Sequence, residues 1–168
     1  MQIRIVFSFR LYYNMSKQEI VYNVKEEIAM IQIIVGAKGK GKTKILIDKA
    51  NSEIEAVKGN VIYLDKSNKI MYELNNKIRL INVRDYCIET PKEFIGFVCG
   101  LIAANHDLQK IYLDSFMKIA CTSLEDIDGV LDKIEMISTK YQVDFIISIS
   151  ISENDLPDTK KQNVIVAL

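Results

Sequence analysis

Apolar residues fall along this chain in two alternating rhythms. Short continuous runs rich in β-branched residues occupy residues 31–35 (IQIIV), 61–64 (VIYL), 78–83 (IRLINV), 111–113 (IYL), 145–149 (FIISI) and 164–168 (VIVAL), which is how strands covered on both faces read. Between them, apolar positions recur at helical spacing. Residues 42–58 carry Leu46, Ala50, Ile54 and Val57 on one stripe, and Gly59-Asn60 supplies a left-handed C-terminal stop. Thr90-Pro91-Lys92-Glu93 is a capping box with proline at the first helical position, which predicts a helix from there to about residue 104. Phe94, Ile95, Phe97, Val98, Leu101 and Ile102 make that helix apolar on most sides, so it should be buried. Thr122-Ser123 with Glu125 predicts a second cap, followed by the stripe Leu124, Ile127, Val130, Leu131, Ile134 and Ile137. Residues 66–77 are polar with no clear period. The alternation of strands and helices predicts one three-layer α/β domain with a mostly parallel central sheet. Residues 152–162 are short for a full crossover helix, which leaves the direction of the last strand open.

Residues 1–29 stand apart from this rhythm. MQIRIVFSFRLYY at the start is apolar in tone and has no acidic residue, but Arg10 interrupts it and no small-residue cleavage site follows, so it makes a poor signal peptide. Lys25-Glu26-Glu27 can be encoded by AAGGAGGAG, a ribosome-binding sequence, with Met30 at a workable spacing. We therefore expect translation to start at Met30 and the domain to run over residues 30–168. The competing reading is a strand at residues 2–9 and a helix over residues 16–28, packed on a sheet edge.

Composition narrows the classes. A chain of 168 residues fits one domain that buries roughly two-thirds of its unfolded surface. Twenty-two Lys plus Arg balance 22 Asp plus Glu, so no global field favours nucleic acid or an anionic membrane, and any polyanion site must be local. No apolar run reaches the length of about 18 residues that a membrane span needs; a cytoplasmic, soluble protein is expected. Cys87, Cys99 and Cys121 are too far apart for a CxxC motif and are expected to be buried, reduced thiols. His106 is the only histidine, which excludes multi-histidine metal sites and places it at a helix end on the surface.

The chemistry concentrates at residues 36–43, GAKGKGKT, directly after the first apolar run and directly before a helical stripe. A triphosphate needs positive potential and donors that approach it without side chains in the way. Gly36, Gly39 and Gly41 free the backbone so that successive N–H groups can turn inward around the β-phosphate, and the helix N-terminus adds its dipole. Lys42 can reach the β and γ oxygens, and the Thr43 hydroxyl can coordinate Mg²⁺. Ala37, Lys38, Lys40 and Lys44 complete the loop and its charge, although solvated surface lysines are the plainer account of each one alone. Mg²⁺ takes one or two protein oxygens, so an aspartate at the end of a neighbouring buried strand is required. Asp114 in KIYLD is the first candidate and Asp65 in VIYLD its rival.

The motif GxxxxGK[ST] and the element order over residues 31–152 resemble the P-loop NTPase superfamily. Two strand candidates, at residues 61 and 78, precede the Asp114 strand, so the order is more like RecA-like ATPases than kinases or GTPases. The resemblance implies Asp114 as the Walker B metal residue, Asp65 as a water-orienting acid, and Ser148 or Ser150 as a polar sensor near the γ-phosphate. At full length the chain is similar to small uncharacterised P-loop proteins of low-GC Gram-positive bacteria, some labelled by association with pilus-retraction ATPases; those motors are longer and carry histidine boxes without counterpart here. Many such ATPases place Glu directly after the Walker B Asp, where this chain has Ser115, so fast hydrolysis is not implied. The signature lysine of deviant Walker motifs would stand at Ala37. Outside residues 1–29 only Arg79 and Arg84 are available as an arginine finger.

Three readings follow. The first is an ATP- and Mg²⁺-binding protein with slow or partner-stimulated hydrolysis. The second is a small-molecule or nucleoside kinase, which would need an acceptor pocket and a lid, for which residues 66–77 are the candidate. The third is a non-hydrolysing switch that presents residues 113–121 to a protein partner according to the nucleotide bound.

Overall fold

The computed structural model describes residues 7–13, 20–26 and 31–168. Strands β1 (Phe7–Tyr13) and β2 (Ile20–Glu26) pair with each other in an antiparallel ladder that puts Phe7 opposite Glu26 and Tyr13 opposite Ile20. The helix over residues 16–28 in the competing reading is therefore corrected, since Ile20–Glu26 is a strand. Its β-branched Ile20, Val21 and Val24 and aromatic Tyr22 favour the pleated ladder. The part of the expected first strand before residue 7 lies outside the described residues.

The main sheet holds six strands, β3 (Ile31–Val35), β4 (Asn60–Asp65), β5 (Ile78–Asn82), β6 (Leu108–Leu113), β7 (Asp144–Ile149) and β8 (Val164–Ala167), in the order β5-β4-β6-β7-β3-β8. Every pairing in it is parallel. The last strand joins parallel to β3 through a 3-10 turn at Glu153–Asp155 and the single-turn helix α5 (Asp158–Lys161), which together span the crossover. The other helices are α1 (Lys42–Glu53), α2 (Pro91–Ala103), α3 (Phe116–Ile119) and α4 (Ile127–Tyr141).

Both faces of the sheet are covered, which is why its strands read as continuous apolar runs rather than alternating ones. Ile31, Ile33 and Val35 of β3 join Leu113, Phe145 and Ile147 in one core with Phe94 and Val98 of α2, Phe116 of α3, and Leu131 and Ile134 of α4. Ile34 points the other way and packs with Tyr63, Tyr112 and Ile146 against Leu46, Ile47 and Ala50 of α1. The result is three layers, with α1 alone on one face. Where α1 ends, Glu53 accepts from Lys49, Lys110 and Tyr112, with Lys110 Nζ and Tyr112 Oη both at 2.8 Å. Burial alone would raise its pKa, but these donors hold the carboxyl down at about 2.

Several expectations are refined by packing. The capping box at Thr90 and Glu93 forms as read, with Thr90 Oγ1 accepting from the Glu93 N–H and Glu93 accepting from the Thr90 N–H. Helix α2 is covered on one side only, through Phe94, Val98 and Ile102, while Ile95, Phe97 and Leu101 are half-buried. Helix α4 starts at Ile127, later than the Thr122-Ser123 signal implies, because Ser123 Oγ bonds Asp126 in a turn that precedes the helix. Leu124, assigned to the apolar stripe, is consequently exposed. The expectation that the cysteines are buried is also corrected: Cys87 and Cys121 are exposed and Cys99 is half-buried. The two exposed ones occupy left-handed positions, φ 53° and 49°, where short helices turn back at the surface.

Gly59 is not the left-handed stop that its position after α1 suggests; the glycines with positive φ are Gly36, Gly39 and Gly41. The helix tapers through a 3-10 turn into extended Val57, so no left-handed residue is required. Glycine serves instead for close approach, since a Cβ there would lie 2.0 Å from the Asp107 carbonyl oxygen, which accepts from the Asn60 N–H. Gly59→Ala should therefore cost about 1–3 kcal/mol through overpacking, read as a lower denaturant midpoint at unchanged m value. An unchanged midpoint would show that the β4 and β6 approach yields freely.

Candidate functional site

The loop between β3 and α1 has the backbone that its glycines allow. Gly36, Gly39 and Gly41 take φ of 154°, 86° and 87°, and Gly41 caps α1 in the left-handed region, conformations that a side chain would strain. Gly36 is fixed from two sides: its N–H donates to the Ile151 carbonyl, and a Cβ on it would sit 2.8 Å from Leu168 Cβ. Residues 37–41 are exposed, whereas Lys42 is 6% exposed. The Lys42 ammonium turns back into the loop and donates to the Gly36 carbonyl at 2.6 Å and the Ala37 carbonyl at 2.8 Å. Burial pulls its pKa down, and the nearby Asp114 carboxylate pulls it up. The stretch is thus neither extended nor helical; it curls around an ammonium at the N-terminus of a twelve-residue helix.

Strand order decides which aspartate faces this loop. Only β7 separates β3 from β6, whose end carries Asp114, while β4 and its Asp65 lie one strand further out. Asp114 is 2% exposed. Its Oδ1 accepts from Ser148 Oγ at 2.5 Å and from the Ser115 N–H at 2.7 Å, and its Oδ2 accepts from Tyr63 Oη at 3.2 Å. The Ser115 N–H also reaches Ser148 Oγ at 3.0 Å, so the carboxylate is held in one orientation by groups from β4, from β7 and from the residue after β6. Asp65 is 5% exposed and accepts from Ser67 Oγ at 3.1 Å. Burial raises its pKa, opposed by the Lys66 N–H, and the Asp114 charge raises it further.

A cleft of about 660 Å³ brings these segments together. Its walls include Lys38, Gly39, Gly41, Lys42, Thr43 and Lys44 from the loop, Asp114 and Ser115 from the end of β6, and Ser148 and Ser150 from the end of β7. Of the two serines read as sensors, Ser148 is buried and committed to Asp114, and Ser150 is exposed. Thr43 and Asp114 offer hard oxygen donors on the same cleft, the chemistry that Mg²⁺ prefers. Among the described residues no group of three or more His, Cys, Asp or Glu could hold a metal, so a metal here would rest on those two oxygens and on the ligand's own phosphates.

Three features escaped sequence reasoning. Tyr63 buries its ring against Tyr112, with centroids 6.0 Å apart, and donates to the Asp114 carboxylate. The signal was present in the matching VIYLD and KIYLD runs, whose tyrosines are cross-strand partners. Helix α3 follows Asp114 immediately, entered through Ser115 at φ 53°. Lys66 and Lys118 also line the cleft.

A glycine loop between a buried parallel strand and a helix, with an aspartate at the end of a strand once removed, defines a P-loop NTPase-type α/β fold. Among solved structures, the chain is similar to the crystal structure of the flagellar accessory protein FlaH from Methanocaldococcus jannaschii, with a TM-score of 0.50 and 16% sequence identity. The match covers 77% of this chain and 63% of that one, so this chain spans less than two-thirds of FlaH's length. At that identity the likeness is one of fold alone. No family model and no curated protein matches the chain. Among the described residues no helix is long and apolar enough to cross a membrane.

Proposed function

We propose that this protein binds ATP with Mg²⁺ and hydrolyses it slowly, or faster when a protein partner completes the site. The observation that carries this reading is the convergence of the glycine loop, the oriented Asp114 and the Thr43 hydroxyl on one cleft. In this reading the loop N–H groups and Lys42 hold the β and γ oxygens, Thr43 and Asp114 carry the metal, and Asp65 is the rival metal or water-orienting acid. Slow turnover follows from Ser115, which stands where a glutamate would orient water. Its hydroxyl accepts from Lys66 Nζ at 3.2 Å, and a serine there is a poor general base.

The structure also bears on the kinase alternative. The segment after β4, read as a lid, is tied to α1: Asn51 Nδ2 donates to the Glu73 carbonyl at 2.7 Å, the Asn75 N–H donates to Asn51 Oδ1 at 2.8 Å, and Ile70 is buried. A segment anchored in this way is ill suited to close over an acceptor, which favours hydrolysis or switching. Incubation with labelled ATP and a nucleoside panel tests the reading by its products. Free phosphate at a low rate is expected; a labelled acceptor would establish a kinase instead, and bound, intact ATP a switch.

A further inference from the structure

The cleft carries more positive charge than the loop alone accounts for. Its walls hold Lys38, Lys42, Lys44, Lys66 and Lys118, five ammonium groups against the two carboxylates of Glu73 and Asp114. No arginine lines these walls: Arg79 lies exposed on the edge strand β5, and Arg84, also exposed, adds its charge to the field at Lys118. Lys66 and Lys118 come from different segments, the turn after β4 and helix α3, and neither belongs to the glycine loop. Lys66 is half-buried, and its Nζ bonds Ser115 Oγ, whose own N–H holds Asp114. Its ammonium is thereby tied to the residue that follows the carboxylate read as the metal residue. Lys118 is pressed below the usual lysine range, first by Lys66 and then by Lys38. Lys118 is exposed, and five ammonium groups lining one cleft against two carboxylates mark a place where an anion relieves their repulsion.

We propose that Lys66 and Lys118, from two segments outside the glycine loop, close on the terminal phosphate of a bound nucleoside triphosphate, so that the site distinguishes a triphosphate from a diphosphate. The inference rests on the nucleotide-binding reading above and deepens it. Lys42 and the loop amides serve the phosphates that both nucleotides share, while Lys66, whose Nζ otherwise bonds Ser115 Oγ, and Lys118 gain a phosphate partner only when the third phosphate is present. That phosphate would bridge the turn after β4 to α3, and its loss would remove the bridge. Nucleotide state would in this way be written into the position of α3.

Calorimetric titration of the full chain with Mg²⁺ and either ATPγS or ADP tests this on the wild type, Lys66→Ala, Lys118→Ala, the double variant and Lys66→Arg. The double variant should lose tenfold or more in ATPγS affinity while ADP affinity changes less than twofold, and Lys66→Arg should retain most of the preference. Equal loss for both nucleotides, or loss for neither, would overturn the proposal while leaving nucleotide binding intact. A wild type that binds neither nucleotide would overturn both readings at once. Circular dichroism melts of each variant show whether a loss reflects binding or folding, and a variant that has unfolded is replaced by Lys66→Gln or Lys118→Gln in the same comparison.

Discussion

Lys42→Ala is expected to weaken triphosphate affinity by tenfold or more. A charge-assisted hydrogen bond is worth about 1.5–3 kcal/mol, and each 1.4 kcal/mol is a factor of ten in affinity. In the structure the ammonium already spans the loop, bonded to the carbonyls of Gly36 and Ala37. Its removal would delete the proposed phosphate contact and also the tie between the ammonium and the loop carbonyls, and both losses act in the same direction. Lys38, Lys40 and Lys44 are no substitutes, because they are exposed and their fields are screened within about 10 Å at ordinary salt. Titration with Mg²⁺ and a non-hydrolysable analogue reads the effect directly; affinity unchanged from the wild type would count heavily against the loop as the binding site.

The second large effect belongs to Asp114. Asp114→Asn keeps the shape and an oxygen able to accept from Ser148 and the Ser115 N–H, and its amide can meet Tyr63 Oη. What it removes is the charge, on a side chain that is 2% exposed. A hard cation held by a single protein carboxylate loses most of its protein contribution with that charge. Binding should therefore become nearly indifferent to Mg²⁺, with some nucleotide still bound, when affinities in Mg²⁺ and in EDTA are compared. Should Asp65→Asn abolish the Mg²⁺ dependence instead, the two aspartates have exchanged roles. Strand order argues against that exchange, since Asp65 lies a strand further from the loop.

Both substitutions test residues that were visible before any coordinates, and the reason is chemical. The positive φ values at Gly36, Gly39 and Gly41 are a local necessity that glycine meets without strain, and Lys42 follows within the same turn of chain. The capping box at Thr90 is equally local, with donor and acceptor three residues apart. By contrast, Thr122-Ser123 with Glu125 has the same appearance and is not the start of α4, because Ser123 satisfies Asp126 in a turn of its own. Gly59 likewise has the position of a helix stop but answers to the backbone at Asp107, nearly fifty residues away.

By itself the sequence determined the glycine loop, the mostly parallel α/β layering and the two strand-end aspartates, since each depends on groups a few residues apart and on the periodicity of burial. Tertiary structure alone decided which aspartate faces the loop, that Tyr63 and Ser148 orient it, and that Lys66 and Lys118 share its cleft. Those relations depend on β7 being inserted between β3 and β6. Such an order comes from packing among segments distant in the chain, where any apolar run can pair with several others and only the assembled core selects among them.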